Sequence, residues 1–251
     1  IDIDKLIEGT NEILTANRNS LQLFDMLHSM RQFDDLTYVH SVNVALIASI
    51  LGQWLKFSEK DIRILTISGL LHDIGKIMIP NEILTKPGKL TVAEYNIMKQ
   101  HVNFGYEKVK NQNIDIRIKE ACLLHHEKCD GTGDPFGLKS DHIPAVAKII
   151  AIADVYDAMT SARVYRGALC PFEVIDTMYK DAFTKFEPEY ILPFLKNVAS
   201  SYINNDVRLS DGRIGKVVLI NENALSLPIV QCEDEFIDLS KTRGLTVSAI
   251  L

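Results

Sequence analysis

Leu70-Leu71-His72-Asp73-Ile74-Gly75-Lys76 sets two ionisable residues directly after the apolar end of a helical pattern. Upstream of it, Ile62, Leu65, Ile67, Leu70 and Leu71 follow a Ser58-x-x-Asp61 start at three- and four-residue spacing, as a helix with an inward face requires. The helix runs into His72 and Asp73. Before it, Val42, Ala45, Leu46, Ser49, Ile50 and Leu55 predict a helix over Tyr38 to Leu55 that carries His40. After it, Thr91 and Glu94 form a capping box for a helix on which Tyr95, Met98, Val102, Gly105 and Val109 share a face with His101. Ile114, Ile118, Ala121 and Cys122 mark another helix, ending at His125-His126 before the turn cluster Asp130-Gly131-Thr132-Gly133-Asp134-Pro135-Phe136-Gly137.

Pro144 opens a helix through Val146, Ile149, Ile150, Ala153 and Asp157, with Asp154 beside them. Pro171 and Pro188 introduce two more. Beyond Asn204 the texture changes to short β-prone runs at 214–220, 225–231 and 236–239, separated by Asp211-Gly212, Asn221 to Asn223 and acidic turns. The expectation is a mainly α protein: a leading helical segment at 1–35, a helical bundle at 36–205 and a small β appendage at 206–251.

The 251 residues suffice for one large domain or a domain with an appendage, at roughly 100–200 residues per domain. At 47% hydrophobic and 24% charged the chain is of ordinary globular composition, which excludes collagen-like and wholly disordered classes. Its net charge of −6 lacks the basic footprint of a protein that tracks a nucleic-acid polymer, although a metal or a few local cations would hold a small anion. Four scattered cysteines without a Cys-x-x-Cys pair argue against a disulfide scaffold and a zinc ribbon, and fit a reducing cytoplasm. The most apolar stretch, 145–153, is interrupted by Lys148 and falls short of the ~18 residues of a membrane span, so no membrane contact is expected of this piece. Because the chain opens on Ile1, it reads as a fragment whose full-length form could be membrane-tethered, with room for an upstream sensor domain and a homodimer.

Of seven histidines, His40, His72, His101, His125 and His126 fall on predicted helices or helix ends with apolar neighbours. Any one alone reads more readily as a core histidine than as a ligand. Burying five with Asp73 and Asp154 would cost several kcal/mol for each unpaired charge, whereas divalent cations would use the ring nitrogens and neutralise the carboxylates. An imidazole and carboxylate set without thiolate suits iron, manganese, nickel, cobalt or zinc. Seven ligands exceed the four of a structural zinc site, which makes two ions the economical reading. Asp73 can bridge them, with His40, His72 and Asp154 on one ion and His101, His125 and His126 on the other. Two ions about 3.5–4 Å apart clamp a phosphoryl group during in-line displacement.

His72-Asp73-Ile74-Gly75-Lys76, His101 with Gly105, His125-His126-Glu127 before Asp130-Gly131-Thr132-Gly133, and the run from Ala153 to Ser161 before Arg163-Val164-Tyr165-Arg166 together resemble the HD-GYP phosphodiesterases. The resemblance spans about residues 36–205. It implies an HD-type bundle with a dinuclear or trinuclear centre that hydrolyses cyclic di-GMP to linear pGpG, and sometimes onward to GMP, through a metal-bridging hydroxide. Members with three metals carry a glutamate four residues before the first histidine, where this chain has Leu36, so two ions are expected, iron or manganese. The Gly-Tyr-Pro signature appears here as Gly133-Asp134-Pro135, which sets a carboxylate where an aromatic would meet substrate.

Lys76 suits a phosphate oxygen or the leaving ribose oxygen, against the plainer reading of a solvated helix-end lysine. The resemblance favours the functional role. It also assigns Arg163 and Arg166 to substrate phosphate, where a guanidinium binds bidentately, although either could pair with Asp157 or Asp176. Glu127, Asp130 and Asp157 are candidate acceptors for ligand imidazoles or, equally, capping groups. Gly131 and Gly133 read as turn residues, His28 and His142 as bystanders, and Trp54, Tyr95 and Tyr106 as packing. Two other readings stay open: a phosphohydrolase for a different cyclic dinucleotide or nucleotide, and a low-turnover cyclic di-GMP receptor, motivated by Asp134 and Leu36.

Overall fold

The computed structural model describes residues 36–161 and 169–251. The expected leading segment at 1–35, His28, Arg163 and Arg166 therefore lie outside the described residues, as does the side chain of Leu36. The helices are α1 (Leu36–Trp54), α2 (Glu59–Leu71), α3 (Asn81–Leu84), α4 (Val92–Lys99), α5 (His101–Val109), α6 (Ile116–Leu124), α7 (Ala145–Thr160), α8 (Pro171–Lys180) and α9 (Pro188–Ser201). The strands are β1 (Asp206–Leu209), β2 (Ile214–Leu219), β3 (Ile229–Cys232), β4 (Glu235–Asp238) and β5 (Val247–Ile250).

Instead of burying one face, α1 is enclosed on all sides from Val39 to Gly52, because α2, α7 and α9 surround it. A helix apolar all round belongs at the centre of a bundle. α7 is its partner there, with Ile149, Ile150, Ile152 and Ala153 fully buried. These two central helices carry His40, Asp154 and Asp157. Side-chain rotamers locked in such a core hold attached polar groups to one geometry.

α2 begins at Ser58, whose hydroxyl accepts from the Asp61 N–H at 3.2 Å, and stops at Leu71 with His72 as its cap. It packs so closely on α1 that a Cβ at Gly69 would overlap the backbone of Ala45. The helix does not run on through Lys76; a 3₁₀ turn takes over at Ile74–Met78. The single helix expected from Thr91 to Val109 is likewise two, broken at Gln100, whose N–H tightens to an i→i+3 bond with Ile97 O at 3.0 Å. The break leaves His101 opening a new helix.

The predicted capping box is formed: Glu94 N–H donates to Thr91 Oγ1, and the Glu94 carboxylate accepts from the Thr91 N–H at 2.7 Å. The Lys86 ammonium, with the Thr91 donors, lowers the Glu94 pKa to about 2. A depressed folded-state pKa means that the stabilisation is complete above the unfolded carboxyl value and disappears as pH falls toward the folded one. Glu94→Gln should therefore lose less thermal stability than the parent between about pH 5 and 2; equal losses in melting experiments would refute this.

The C-terminal strands form an antiparallel sheet of order β4-β3-β2-β1-β5, with Val207 opposite Gly215 and Val217 opposite Val230. β1 and β5 were not among the strands expected from the sequence. The sheet is an appendage in chain order only: Val207, Leu209, Val217 and Val230 join the same apolar core as Phe172, Ile175, Phe194 and Val198 of α8 and α9.

Candidate metal centre

Three imidazoles enter the site with the same local device. His72 Nδ1 donates to Gly69 O at 2.7 Å, His101 Nδ1 to Met98 O at 2.7 Å and His125 Nδ1 to Ala121 O at 3.0 Å. His40 Nδ1 instead meets Asp157 Oδ2 at 2.7 Å. A carbonyl or carboxylate oxygen only accepts, so each Nδ1 carries the hydrogen and each neutral ring keeps a lone pair at Nε2. Those lone pairs converge. His101 Nε2 lies 3.4 Å from His125 Nε2, and His40 and His72 Nε2 lie 3.6 and 3.3 Å from Asp73 Oδ2.

Asp73 stands between two groups of donors. Its Oδ2 faces His40 and His72, while its Oδ1 faces His101 at 3.2 Å and His125 at 3.9 Å. Asp154 Oδ1 completes the first group, 3.0 Å from His40 Nε2 and 4.0 Å from His72 Nε2. His126 completes the second from the solvent side: His101, His125 and His126 each offer an atom within 4.8 Å of the others. The structure thus brings together all seven residues expected as ligands.

The site is electrostatically incomplete by itself. His72 Nε2 and Asp73 Oδ1 are buried without a hydrogen-bond partner, and lone pairs face lone pairs around them. Such atoms are costly in a dry interior unless a cation meets them. The donors therefore fit divalent metal ions. Burial works against charge on His40, but the Asp154 and Asp157 carboxylates outweigh it and raise its pKa to about 9, so a cation at Nε2 would take the place of a proton there. Burial likewise opposes ionisation of Asp73, yet Lys76 and His72 hold its carboxyl well below the usual range. His125 is shifted down by burial and then by His126 and His72, which keeps it neutral. Lys76 Nζ, partly exposed, bonds Asp73 Oδ2 at 2.5 Å.

Of the three candidate supporting acids, only Asp157 touches a ligand ring. Asn43 Nδ2 at 2.9 Å and Ser161 Oγ at 3.0 Å hold its other oxygen. Glu127 instead accepts from the Phe136 and Leu138 N–H groups at 2.7 and 2.9 Å, which ties the end of the Gly-rich loop back to its start. Asp130 caps Thr132 in that loop, and Gly131 takes φ 83, so turn chemistry accounts for both. Asn43 was missed, although its place three residues after His40 on one helix is a readable signal. The carbonyls of Gly69, Met98 and Ala121 have none, since every residue carries one.

Asp134 lies on the rim, where its N–H donates to His126 O at 3.2 Å and its carboxylate meets Lys99 Nζ at 3.2 Å. The carboxylate that stands in place of the family's aromatic is thus offset by an ammonium beside it. Tyr95, read as packing, is 53% exposed and lies 5.3 Å from the Lys99 ammonium. His142 is exposed and pairs with Asp141 at 3.5 Å. Cys122 is buried, its thiol pushed up to about 12 by burial and then by Asp73, which suits an inert residue. No helix of the described residues is long and apolar enough to cross a membrane.

A family model described as HD domain matches residues 9–190. The chain belongs to the HD-domain family. Among relatives of this HD protein is a cyclic di-GMP phosphodiesterase of Pseudomonas aeruginosa, 36% identical over 203 residues, which make up 80% of this chain and 49% of that protein. A 3'3'-cGAMP-specific phosphodiesterase of Vibrio cholerae is also 36% identical, over 68% of this chain and 38% of its own length. The HD chain thus spans about half or less of these relatives. The fold matches that of an HDG"Y"P protein from Bdellovibrio bacteriovorus with a TM-score of 0.60 at 21% identity, over 76% of this chain and 60% of that one.

Proposed function

We propose that this HD protein is a metal-dependent phosphodiesterase that opens cyclic di-GMP to linear pGpG at a dinuclear centre. The observation that carries the reading is the convergence of four Nε2 lone pairs on the two oxygens of Asp73. His40, His72 and Asp154 would hold one ion and His101, His125 and His126 the other, with Asp73 shared. Imidazoles and carboxylates without thiolate suit iron or manganese. Bound ions supply Lewis acidity, which activates water and stabilises charge on the phosphoryl oxygens.

The chain's own residues do the rest. Lys76, already at Asp73, would donate to a phosphoryl oxygen or to the leaving ribose oxygen. Arg163 and Arg166 would clamp phosphate from the segment that follows α7. Asp157 keeps the proton on His40 Nδ1 and so presents Nε2 as a ligand. Support for the substrate comes from the cyclic di-GMP relatives, whereas the equally identical 3'3'-cGAMP relative supports a second cyclic dinucleotide as an alternative substrate. A homodimer and an upstream sensor domain stand as further expectations.

Metal analysis of anaerobically purified protein, run beside a product assay, tests the reading. Two transition ions per chain and conversion of cyclic di-GMP to pGpG are expected. Tight ligand binding with no linear product over hours in iron- or manganese-loaded protein would instead support a receptor. A further expectation concerns the ring-orienting carboxylate: Asp157→Ala should weaken metal binding roughly 10–100-fold with the fold intact. Unchanged affinity in a competitive chelator titration would remove Asp157 from this role.

A further inference from the structure

The rim of the centre carries an ion pair that the reaction itself does not need. Lys99 closes α4 two residues before His101, and Asp134 is tied through its backbone N–H to the carbonyl of His126. Both groups therefore stand on the His101 and His126 side of the site, where His126 itself is exposed. Their side chains remain 33% and 42% accessible, so a ligand can reach either. The exposed ring of Tyr95 flanks the ammonium.

An ammonium donates only and a carboxylate accepts only. Set side by side, they present a donor next to an acceptor. The Watson–Crick edge of guanine offers the complementary series: the O6 acceptor, then the N1–H and N2–H donors. Adenine reverses the first two, with an amino donor at N6 and a lone pair at N1, so it would set donor against Lys99 and acceptor against Asp134. A site built to hydrogen-bond one pattern discriminates strongly against a ligand that leaves its polar groups unpaired.

Resting on the cyclic-dinucleotide reading, the geometry points to Lys99 and Asp134 as a dyad that reads guanine and rejects adenine in the base attached to the bound phosphate. One dyad reads one of two bases. Cyclic di-GMP and the mixed guanine–adenine dinucleotide each supply a guanine, whereas cyclic di-AMP supplies none.

The test uses the full chain loaded with manganese and two readouts. One is kcat/KM for cyclic di-GMP, 3'3'-cGAMP and cyclic di-AMP. The other is calorimetric binding of GMP and AMP, which contain no diester to hydrolyse. GMP should bind at least about tenfold tighter than AMP, and both guanine-containing dinucleotides should outrun cyclic di-AMP by a similar factor. Asp134→Ala and Lys99→Ala should each bring the GMP to AMP ratio toward one; because a ratio is read, any general loss of phosphate affinity cancels. Equal GMP and AMP binding by the parent, a ratio that survives both substitutions, or equal turnover of cyclic di-AMP and cyclic di-GMP overturns the dyad. Absence of any dinucleotide hydrolysis with the GMP preference intact and lost in the variants would reject the phosphodiesterase reading while supporting the dyad.

Discussion

Asp73→Ala is expected to abolish phosphodiester hydrolysis, by more than about 10³-fold, and to lower the metal content of a protein that still folds. The loss should exceed the 10–100-fold typical of residues that only orient a ligand. Its reason is the position of the carboxylate, with Oδ2 toward His40 and His72 and Oδ1 toward His101 and His125. Asp154 also comes within 4.8 Å of ligand atoms of His72 and His125, but among the described residues only Asp73 pairs with imidazoles of both groups, so both ions would lose a shared anion. Asp73 also pairs with Lys76, and a plainer view makes it that lysine's partner. Lys76→Met separates the two views: it should lower turnover while two ions stay bound. Elemental analysis, circular dichroism and product formation decide the matter, and a folded Asp73→Ala protein with two ions and near-normal turnover would refute the centre.

Gly75→Val should be the most damaging substitution outside the ligands. A Cβ at Gly75 would overlap the carbonyl of His101 and the backbone N–H of Gly105, because the 3₁₀ turn at Ile74–Met78 lies directly against α5. The larger side chain must drive the two backbones apart. That motion separates Asp73, two residues before the glycine, from His101, which now stands 3.2 Å from it. Displacement of about 1 Å at a reacting centre costs on the order of 10²-fold in rate. The expected result is a fall in kcat of at least about 10²-fold with loss of metal affinity and a lower melting temperature. Retention of parental metal affinity and kcat would show that the crossing does not position the site.

The helices that begin at prolines or caps were legible because those signals are local: Ser58, Thr91 with Glu94, Pro171 and Pro188 all open the elements expected of them. The candidate ligands were legible for a different reason. Polar ionisable residues on apolar helix faces have few stable fates in a dry interior, and seven of them point to cations. The break at Gln100 escaped notice, since both halves keep helical spacing and the interruption serves an imidazole that bonds a carbonyl just behind it. α1 was expected to show one buried face, but enclosure by three other helices is a property of packing and leaves no distinct periodicity.

From residue order alone came a mainly helical chain, an identifiable set of seven donors and the expectation that they divide between two ions. Tertiary structure decided which oxygen of Asp73 faces which imidazoles, which ring nitrogen remains bare, and that Asp134 stands beside Lys99. His40 and Asp157 are 117 residues apart along the chain, yet their rings and oxygens meet at 2.7 Å. Residue types report what chemistry is available, whereas lone-pair direction depends on backbone carbonyls that every residue shares and on contacts that form only when the helices pack.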